Sequence, residues 1–250
     1  MTATSVDLIP IIKRTEVENL AATEYSRLAD QLRLLDNDDW AKPTVCELWN
    51  VRAMAGHNLG AMGDFSSFKK FMVRMFAARK SAKAGGLKMV DALTELQVAA
   101  TAALTNDELL RQIDDTGPRA ARWRSSAPWL FRKVPIKEQV CGKPETWRME
   151  YLLQVILTRD SWMHRADIAA ATGRQMTLTQ DHDGRIVADV VAEWARRHGQ
   201  PFSLSLDGPA GGEFFAGEGG EQIKMDAVEF CRVLSGRGSR IGLLAQDVPF

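Results

Sequence analysis

Through the first two thirds of the chain, apolar residues recur every three or four positions, which is the spacing of amphipathic helices. The pattern predicts helices over about Ile12–Leu35, Val51–Phe76 and Leu87–Leu104. A short helix from Asp107 to Ile113 is expected to follow the third of them.

A fourth long helix is predicted from Thr146, a residue type that caps helix starts, to Gly173, which is typical of a C-cap. Before it, Thr116 to Cys141 is rich in Pro, Arg and Trp and is predicted to be a long connection of the kind that often carries function. Four long helices favour an antiparallel bundle, a fold that builds metal sites from side chains on facing helices.

The pattern changes after Gly173. An amphipathic helix capped by Asp181 or Asp183 is followed by alternating segments that predict strands. The predicted strands are Ser203–Leu206, Glu213–Ala216 and Gln222–Met225, and Asp226 is expected to cap a last helix from Ala227 to about Leu234. We therefore expect a mainly α chain, with a helical bundle over residues 1–178 and a small α+β domain over residues 179–250.

Composition excludes some classes of function without selecting one. Lys plus Arg and Asp plus Glu both number 32 in 250 residues, so no net charge attracts nucleic acid or an anionic membrane. No apolar run has the length of a membrane span, and the first residues show no secretory signal pattern. Cys46, Cys141 and Cys231 form no C-x-x-C pair and no disulfide framework, which favours a reducing cytoplasm.

Candidate chemistry concentrates on the fourth predicted helix. Asp160 and His164 are four residues apart and therefore share a helix face, which also carries Leu153, Ile156 and Leu157. An apolar face should point toward a core, where a lone carboxylate is costly unless a partner compensates its charge. A divalent metal is one such partner, and His57 on the second predicted helix is the third candidate ligand.

Other interpretations of these residues stay open at this point. Asp160 and His164 can form a surface ion pair, and His57 can be a core histidine bonded to a backbone carbonyl. Three small residues on the face of His57 leave room for a bulky group beside it, which favours the metal site; they are Ala53, Gly60 and Ala61. Asp167 is either a hydrogen-bond acceptor for a histidine N–H or the solvated end of the helix.

Two further features receive structural interpretations. Cys46 can be a nucleophile or a fourth ligand, but no adjacent base is apparent, and a buried structural role is favoured because free cysteine is commonly buried. The glycine-rich stretch from Gly208 to Gly220 has neither G-x-G-x-x-G nor Gly-Lys-Ser/Thr, so turns between strands are predicted rather than a phosphate-binding loop.

Several segments carry a family pattern. The first is Trp40–Val51 followed by Gly56–Leu59, and the second is Arg159–Gly173. Both resemble the signatures of the mycothiol-dependent maleylpyruvate isomerase family, which belongs to the DinB/YfiT-like bundle superfamily. Leu206–Gly212 and Cys231–Arg237 resemble the small sterol-carrier-like C-terminal domain that many members of the family carry.

The resemblance implies a divalent metal, usually zinc, held by His57, Asp160 and His164. Asp160 stands where the isomerase has Glu and other branches have His; because Asp is one methylene shorter, the metal is expected to sit differently or to bind weakly, or the site to be empty. The resemblance also implies that Arg237 lies near the active site as a catalytic residue. Asp167 is expected to support the bound cofactor.

The expected chemistry is thiol-dependent. A free thiol with a pKa of about 8.5 is only a few per cent thiolate at neutral pH. Zinc with three protein ligands keeps a fourth position open, where mycothiol or a similar low-molecular-weight thiol can bind as the thiolate. We expect this thiolate to add to a small electrophilic substrate, giving an isomer or a thiol conjugate.

Two alternatives from other classes remain. Two histidines and one carboxylate also describe non-haem Fe(II) oxygenases, although those sites usually lie on β-scaffolds. The chain can also be a non-catalytic protein that binds a metal or small molecule, an alternative favoured by Asp160. The sequence leaves open the substrate, the metal, and whether the chain acts alone or as a homodimer.

Overall fold

The computed structural model describes residues 3–140 and 142–250, so Cys141 and the first two residues lie outside the description. The chain divides into two compact units. The helical unit comprises Thr15–Trp129 and His164–Met176, and the mixed unit comprises Met1–Arg14, Leu130–Met163 and Thr177–Phe250. Within the described ranges, no helix combines the length and the apolar character needed to cross a membrane.

Helices make up most of the described chain. In chain order they are α1 (Arg14–Arg33), α2 (Asn37–Ala41), α3 (Val51–Asp64), α4 (Phe68–Gly85), α5 (Met89–Thr101), α6 (Asn106–Ser126), α7 (Trp129–Arg132), α8 (Met149–Tyr151), α9 (Leu157–Thr172), α10 (Arg185–His198) and α11 (Ala227–Leu234). A π-helical segment, Leu152–Ile156, joins α8 to α9, and another, Gln180–Gly184, precedes α10. Helix α9 contributes to the mixed unit up to Met163 and to the helical unit from His164 onward.

The strands form two small sheets. In chain order they are β1 (Thr4–Ser5), β2 (Pro135–Val140), β3 (Lys143–Arg148), β4 (Phe202–Asp207), β5 (Gly212–Ala216) and β6 (Glu221–Asp226). Strands β2 and β3 form an antiparallel hairpin, and the other four pair in the order β1-β5-β4-β6. This mainly helical chain with a C-terminal α+β segment confirms the expected fold class, while a domain boundary between residues 178 and 179 stays a prediction.

The C-terminal strands lie within one residue of their predicted bounds. Strand β4 pairs antiparallel with β5 and parallel with β6, which places Leu204 opposite both Phe214 and Ile223. Asp226 caps α11 as expected, because its Oδ1 accepts hydrogen bonds from the backbone N–H groups of Val228 at 2.8 Å and Glu229 at 3.0 Å. Strict alternation and a side-chain cap are local signals, so tertiary contacts were not needed to find these elements.

The predicted connection from Thr116 to Cys141 is wrong over most of its described length. Helix α6 continues to Ser126 with Pro118 inside it, although an interior proline costs a helix about 3 kcal/mol. Burial along α6 compensates, because Ile113, Ala120 and Ala121 are fully buried. At the end of the helix, the guanidinium of Arg124 donates a 2.8 Å hydrogen bond to Tyr25 Oη on α1.

Two predicted helix boundaries are also wrong. The segment predicted as one helix from Val51 to Phe76 is two helices, because α3 ends at Asp64 and Ser67 starts α4 by accepting a hydrogen bond from Lys70 N–H. Thr146 caps no helix; it lies in β3 opposite Lys137. The hairpin is held in the mixed unit by Glu145, which accepts hydrogen bonds from Arg197, an interaction that local sequence does not reveal.

Within the helical unit, α3 and α5 approach each other closely at two glycines. A Cβ atom at Gly60 would lie 2.6 Å from Gln97 Cβ and 2.8 Å from Gln97 Cα, and one at Gly56 would lie 2.4 Å from Thr101 Oγ1. The expectation that Gly60 leaves room for a bulky group beside His57 is therefore wrong. The space that Gly60 leaves is filled by the backbone of α5, which fixes the position of α3.

A buried ion-pair network holds the mixed unit together. Arg159 of α9 is fully buried and donates to Asp189 Oδ2 at 2.6 Å, while its Nη1 lies 2.8 Å from Glu193 Oε2. Burial disfavours the charged guanidinium, yet the two carboxylates outweigh this effect and raise the pKa of Arg159 above its ordinary value. Arg159 also donates to the backbone carbonyl of Pro249, so the C-terminal segment depends on the same group.

We expect Gly60→Ala to destabilise the protein by about 1–3 kcal/mol, because the added methyl group overpacks the contact with the backbone of α5. Gly63→Ala, one turn further along α3, is the matched control because nothing lies within 4 Å of a Cβ there. Alanine should be neutral there, or stabilise by up to about 1 kcal/mol through its higher helix propensity. Urea unfolding of both variants measures the difference, and equal stability of the two would contradict the close contact.

We expect Arg159→Met to cost about 3–5 kcal/mol, because it leaves two buried carboxylates without their cation. Arg33→Met removes a guanidinium that pairs with Asp30 and Asp114 but is 42% exposed, and should cost at most about 1 kcal/mol. The free energies of unfolding of the two variants can be compared by chemical denaturation. A cost for Arg159→Met as small as that for Arg33→Met would show that the network contributes little.

Candidate metal centre

His57 is positioned by the start of α3 and by the loop that precedes it. Asn50 caps the helix, its Oδ1 accepting a 2.9 Å hydrogen bond from Ala53 N–H. Hydrogen bonds tie the two ends of the preceding loop together, since Val51 N–H donates to Lys42 O at 3.0 Å. His57 is 6% exposed, so its imidazole lies inside the helical unit rather than on its surface.

His164 begins the part of α9 that belongs to the helical unit, and the next residue anchors it there. The guanidinium of Arg165 donates to both carboxylate oxygens of Glu24 on α1, at 3.0 and 2.9 Å, and both side chains are almost fully buried. Gln31 of α1 donates a further 2.9 Å hydrogen bond to the backbone carbonyl of Arg165. These contacts fix α9 against α1 and leave the imidazole of His164 5% exposed.

The structure brings the two predicted histidine ligands together. The ring centroids of His57 and His164 are 5.1 Å apart and the rings are nearly perpendicular, at 88°. Each histidine offers a ring nitrogen within 4.8 Å of the other. The indole ring of Trp49 covers the pair, with its centroid 4.8 Å from the His57 ring and 6.0 Å from the His164 ring.

The carboxylate of Asp167 lies next to Nδ1 of His164. Its Oδ2 lies 3.4 Å from Nδ1 of His164, and its side chain is fully buried. The alternative of a solvated helix end is therefore wrong for Asp167. A carboxylate at Nδ1 orients the ring and directs Nε2 away from the carboxylate, which is the arrangement that outer carboxylates give to metal-binding histidines.

The two remaining predicted site residues lie in the mixed unit. Asp160 is half-buried and stands four residues before His164 on the same uninterrupted helix, so both side chains leave α9 on one face. Arg237 is half-buried in the turn that follows α11, where its backbone N–H donates to Arg232 O at 2.8 Å. Its role as a catalytic residue stays a prediction.

Sequence reasoning gave too little weight to Cys46 and overlooked Trp49. Cys46, His164 and Asp167 each offer a ligand atom within 4.8 Å of the other two. Cys46 is therefore close to an imidazole, which the purely structural interpretation did not anticipate. The only signal in the sequence is that both residues belong to Trp40–Val51, the segment that carries the first family signature.

A further carboxylate, Asp64, lies two turns after His57 on α3. Burial raises its pKa, while hydrogen bonds from Arg74 and Gln97, at 2.7 and 2.9 Å, act in the opposite direction. These two donors occupy both carboxylate oxygens. Asp64 is therefore engaged in joining α3 to α4 and α5, and we do not include it among the candidate ligands.

The protein is therefore a mainly helical chain that brings two buried histidines together. Residues 21–169 match the family model described as the mycothiol maleylpyruvate isomerase N-terminal domain. This match covers more than half of the chain, which therefore belongs to the mycothiol maleylpyruvate isomerase family and confirms the resemblance seen in the sequence.

Solved structures agree with this assignment at the level of the fold. A crystal structure of the mycothiol-dependent maleylpyruvate isomerase superposes with a TM-score of 0.54 and 19% sequence identity, over 94% of this chain and 93% of that one. A structure of a histidine-to-alanine mutant of that enzyme gives the same values. No curated protein matches the chain. At 19% identity the superposition shows a shared fold only, so the chemistry has to be inferred from the residues of the candidate site.

We expect Asp167→Asn to weaken zinc binding by about 10–100-fold, the usual effect of losing an outer carboxylate behind a ligating histidine. Competition with a chromogenic chelator measures the affinity, and thermal unfolding checks that the variant is folded. Asp181→Asn, at an exposed aspartate of the mixed unit, is the control and should bind as tightly as the wild type. If Asp167→Asn bound zinc as tightly as the wild type, Asp167 would not contribute to the metal centre.

Proposed function

We propose that this chain binds a divalent metal, with zinc preferred, through His57, Asp160 and His164. We further propose that it uses a low-molecular-weight thiol of the mycothiol type to isomerise a small electrophilic substrate, or to form a conjugate in which the intact thiol is bonded to that substrate through sulfur. The observation that carries the proposal is the buried pair of imidazoles from α3 and α9, with Asp167 behind one of them. Membership in the family supports the thiol, and the names of the solved relatives make maleylpyruvate the first substrate to test.

The donor set fits zinc. Imidazole nitrogens and a carboxylate oxygen are ligands that zinc accepts, and three protein ligands are usual where zinc acts in catalysis. Two zinc–nitrogen bonds of about 2.0–2.1 Å span at most about 4.2 Å, close to the limit of 4.8 Å within which the ring nitrogens of His57 and His164 lie. Asp160 reaches the same helix face as His164 through the i, i+4 geometry of α9 alone.

The residues around the histidines have separate roles in this proposal. When bound, the metal would supply an open coordination position at which a thiol is held as thiolate at neutral pH. His57, Asp160 and His164 bind the ion, and Asp167 orients His164. Trp49 excludes water from one side of the imidazole pair, because its ring covers both histidines.

Two parts of the proposal rest on family resemblance alone. Arg237 is proposed as a catalytic residue because the resemblance of the C-terminal segment implies an arginine near the active site at this position. The resemblance implies a longer Glu where this chain has Asp160, and this difference keeps open the alternative of a protein that binds metal but has lost the reaction. The cytoplasmic location and the oligomeric state remain predictions from the sequence.

We expect His57→Ala and His164→Ala to lose bound zinc, because each removes a ligand from a three-ligand site. Wild-type protein, loaded with zinc and desalted, should retain about one zinc per chain in elemental analysis. His198→Ala, which changes a histidine at the end of α10, is the control and should keep the metal. Full zinc content in either site variant would show that the histidine pair is not the metal centre.

Titration with the thiol distinguishes the hypothesis of a thiol-dependent enzyme from that of a non-catalytic metal-binding protein. Calorimetry should detect mycothiol binding to the zinc-loaded protein and none to the metal-free protein. The protein with bound zinc and thiol should then convert maleylpyruvate to its trans isomer. The change in absorbance during the reaction measures this conversion. Zinc binding without thiol binding would instead support a non-catalytic metal-binding protein.

A further inference from the structure

Helix α4 presents apolar side chains to solvent on one side of the helical unit. Val73 is 63% exposed and Phe76 is 68% exposed, whereas Phe71 and Ala78 of the same helix are buried. Residues three or four positions apart share a helix face, so Val73 and Phe76 belong to a face opposite the buried one. The proposed function uses no residue of α4.

The inner side of α4 is fixed within the helical unit. Arg74 Nε donates to Asp64 Oδ1 at 2.7 Å, and Arg74 Nη1 donates to the backbone carbonyl of Leu96 at 3.0 Å. At the end of the helix, Leu87 N–H donates to Ala82 O at 3.1 Å and closes the turn toward α5. These contacts hold α4 in place, and its outer side remains exposed as a rigid surface.

Positive charge is concentrated on the same helix. Residues 65–90 contain seven basic and no acidic residues. One of the seven, Arg74, pairs with Asp64 inside the unit. Because the whole chain has no net charge, the rest of it is acidic to the same extent. The other six basic residues of this segment are exposed, namely Lys69, Lys70, Arg79, Lys80, Lys83 and Lys88.

The apolar and basic residues of α4 alternate along a single face. Lys69, Val73, Phe76, Lys80 and Lys83 follow one another at intervals of three or four, and all five are exposed. This set, the outer α4 face, has an apolar centre with lysines at both ends and spans about 21 Å along the helix axis. Exposed apolar patches rimmed by polar residues mark interaction sites. Basic residues around exposed aromatic side chains are typical of helices that lie in a membrane interface.

We infer that the outer α4 face binds an anionic lipid surface, with the helix axis parallel to the bilayer. Phe76 and Val73 enter the headgroup region, and the lysines pair with acidic headgroups while their alkyl chains lie along the apolar boundary. Charges act over about 8 Å at physiological ionic strength, so this local concentration of lysines decides the attraction rather than the net charge of the chain. The inference goes beyond the proposed function and does not involve the metal centre.

Other partners fit the outer α4 face less well. A second copy of the chain would bring the same positive face against itself in a two-fold contact, which places like charges together. A nucleic acid would pair with the lysines, but its phosphates give Val73 and Phe76 no apolar contact. A lipid interface accommodates both kinds of side chain and requires no groove of matching shape.

The test measures binding of the full chain to vesicles by flotation. Vesicles of phosphatidylcholine alone are compared with vesicles of phosphatidylcholine mixed with phosphatidylserine. We expect at least about tenfold tighter binding to the mixed vesicles, and a progressive loss of this binding as NaCl is added. Equal binding to both kinds of vesicle, or binding to neither, overturns the inference.

A charge-reversal pair tests the position of the contact. Lys80→Glu combined with Lys83→Glu should weaken binding to the mixed vesicles by more than about tenfold. Lys137→Glu combined with Lys143→Glu makes the same change of net charge at exposed positions of the β2–β3 hairpin, and should bind as the wild type does. All four side chains are exposed, and thermal unfolding checks that both variants are folded. An equal loss in the two variants overturns the inference, because binding would then follow net charge alone.

A second pair of variants separates a lipid surface from a polyanion. Phe76→Ser should weaken binding to the mixed vesicles several-fold, because it removes the largest apolar side chain of the outer α4 face. Leu34→Ser is the matched control, since Leu34 is 67% exposed in the same unit but is followed by acidic residues at 36, 38 and 39. Wild-type binding by Phe76→Ser overturns the inference. Binding of the wild type to a short DNA duplex as tightly as to the mixed vesicles also overturns it, in favour of a nucleic acid.

Discussion

Charges that α9 buries must each be compensated, and the rest of the structure depends on this constraint. The helix carries Arg159 in the mixed unit and Arg165 in the helical unit, both fully buried. Arg159 is paired with Asp189 and Glu193, and Arg165 with Glu24. A buried cation without its partner is strongly destabilising, so these pairs fix each part of α9 in its own unit. Three of the predicted site residues, Asp160, His164 and Asp167, lie on this same helix.

The histidine site is assembled from two parts of the helical unit that are distant in sequence. Helix α3 is fixed against α5 by the close contacts at Gly56 and Gly60, and the second part of α9 is fixed against α1 by Arg165. A loop closed by hydrogen bonds places the Trp49 ring against both imidazoles and Cys46 near His164. The candidate ligands are therefore held by rigid elements, which is what a site with defined coordination geometry needs.

Family membership and chemistry rest on different observations in this protein. The family model covers residues 21–169, and the isomerase superposes over most of both chains, but 19% identity supports the fold alone. The chemistry depends on the residues that this chain brings together, which include two buried histidines and a cysteine close to His164. These residues form a candidate donor set, which metal-binding measurements on this chain can test directly.

The sequence by itself determined the elements whose signals are local. The alternating strands β4, β5 and β6, the cap at Asp226 and the end of α9 at Gly173 were found because alternation, capping and positive φ angles depend on neighbouring residues. The family signatures likewise identified His57 and His164 as candidate ligands, since their residue types and context can be read directly.

Only the tertiary structure revealed the elements that depend on burial or on contacts between residues far apart in the sequence. Helix α6 continues through Pro118 because its face is buried, and Thr146 lies in a strand of a hairpin that Arg197 holds through Glu145. The nearness of His57 to His164, and of Cys46 to both His164 and Asp167, arises between residues more than a hundred positions apart. Such contacts depend on how whole helices pack, and no local pattern encodes that.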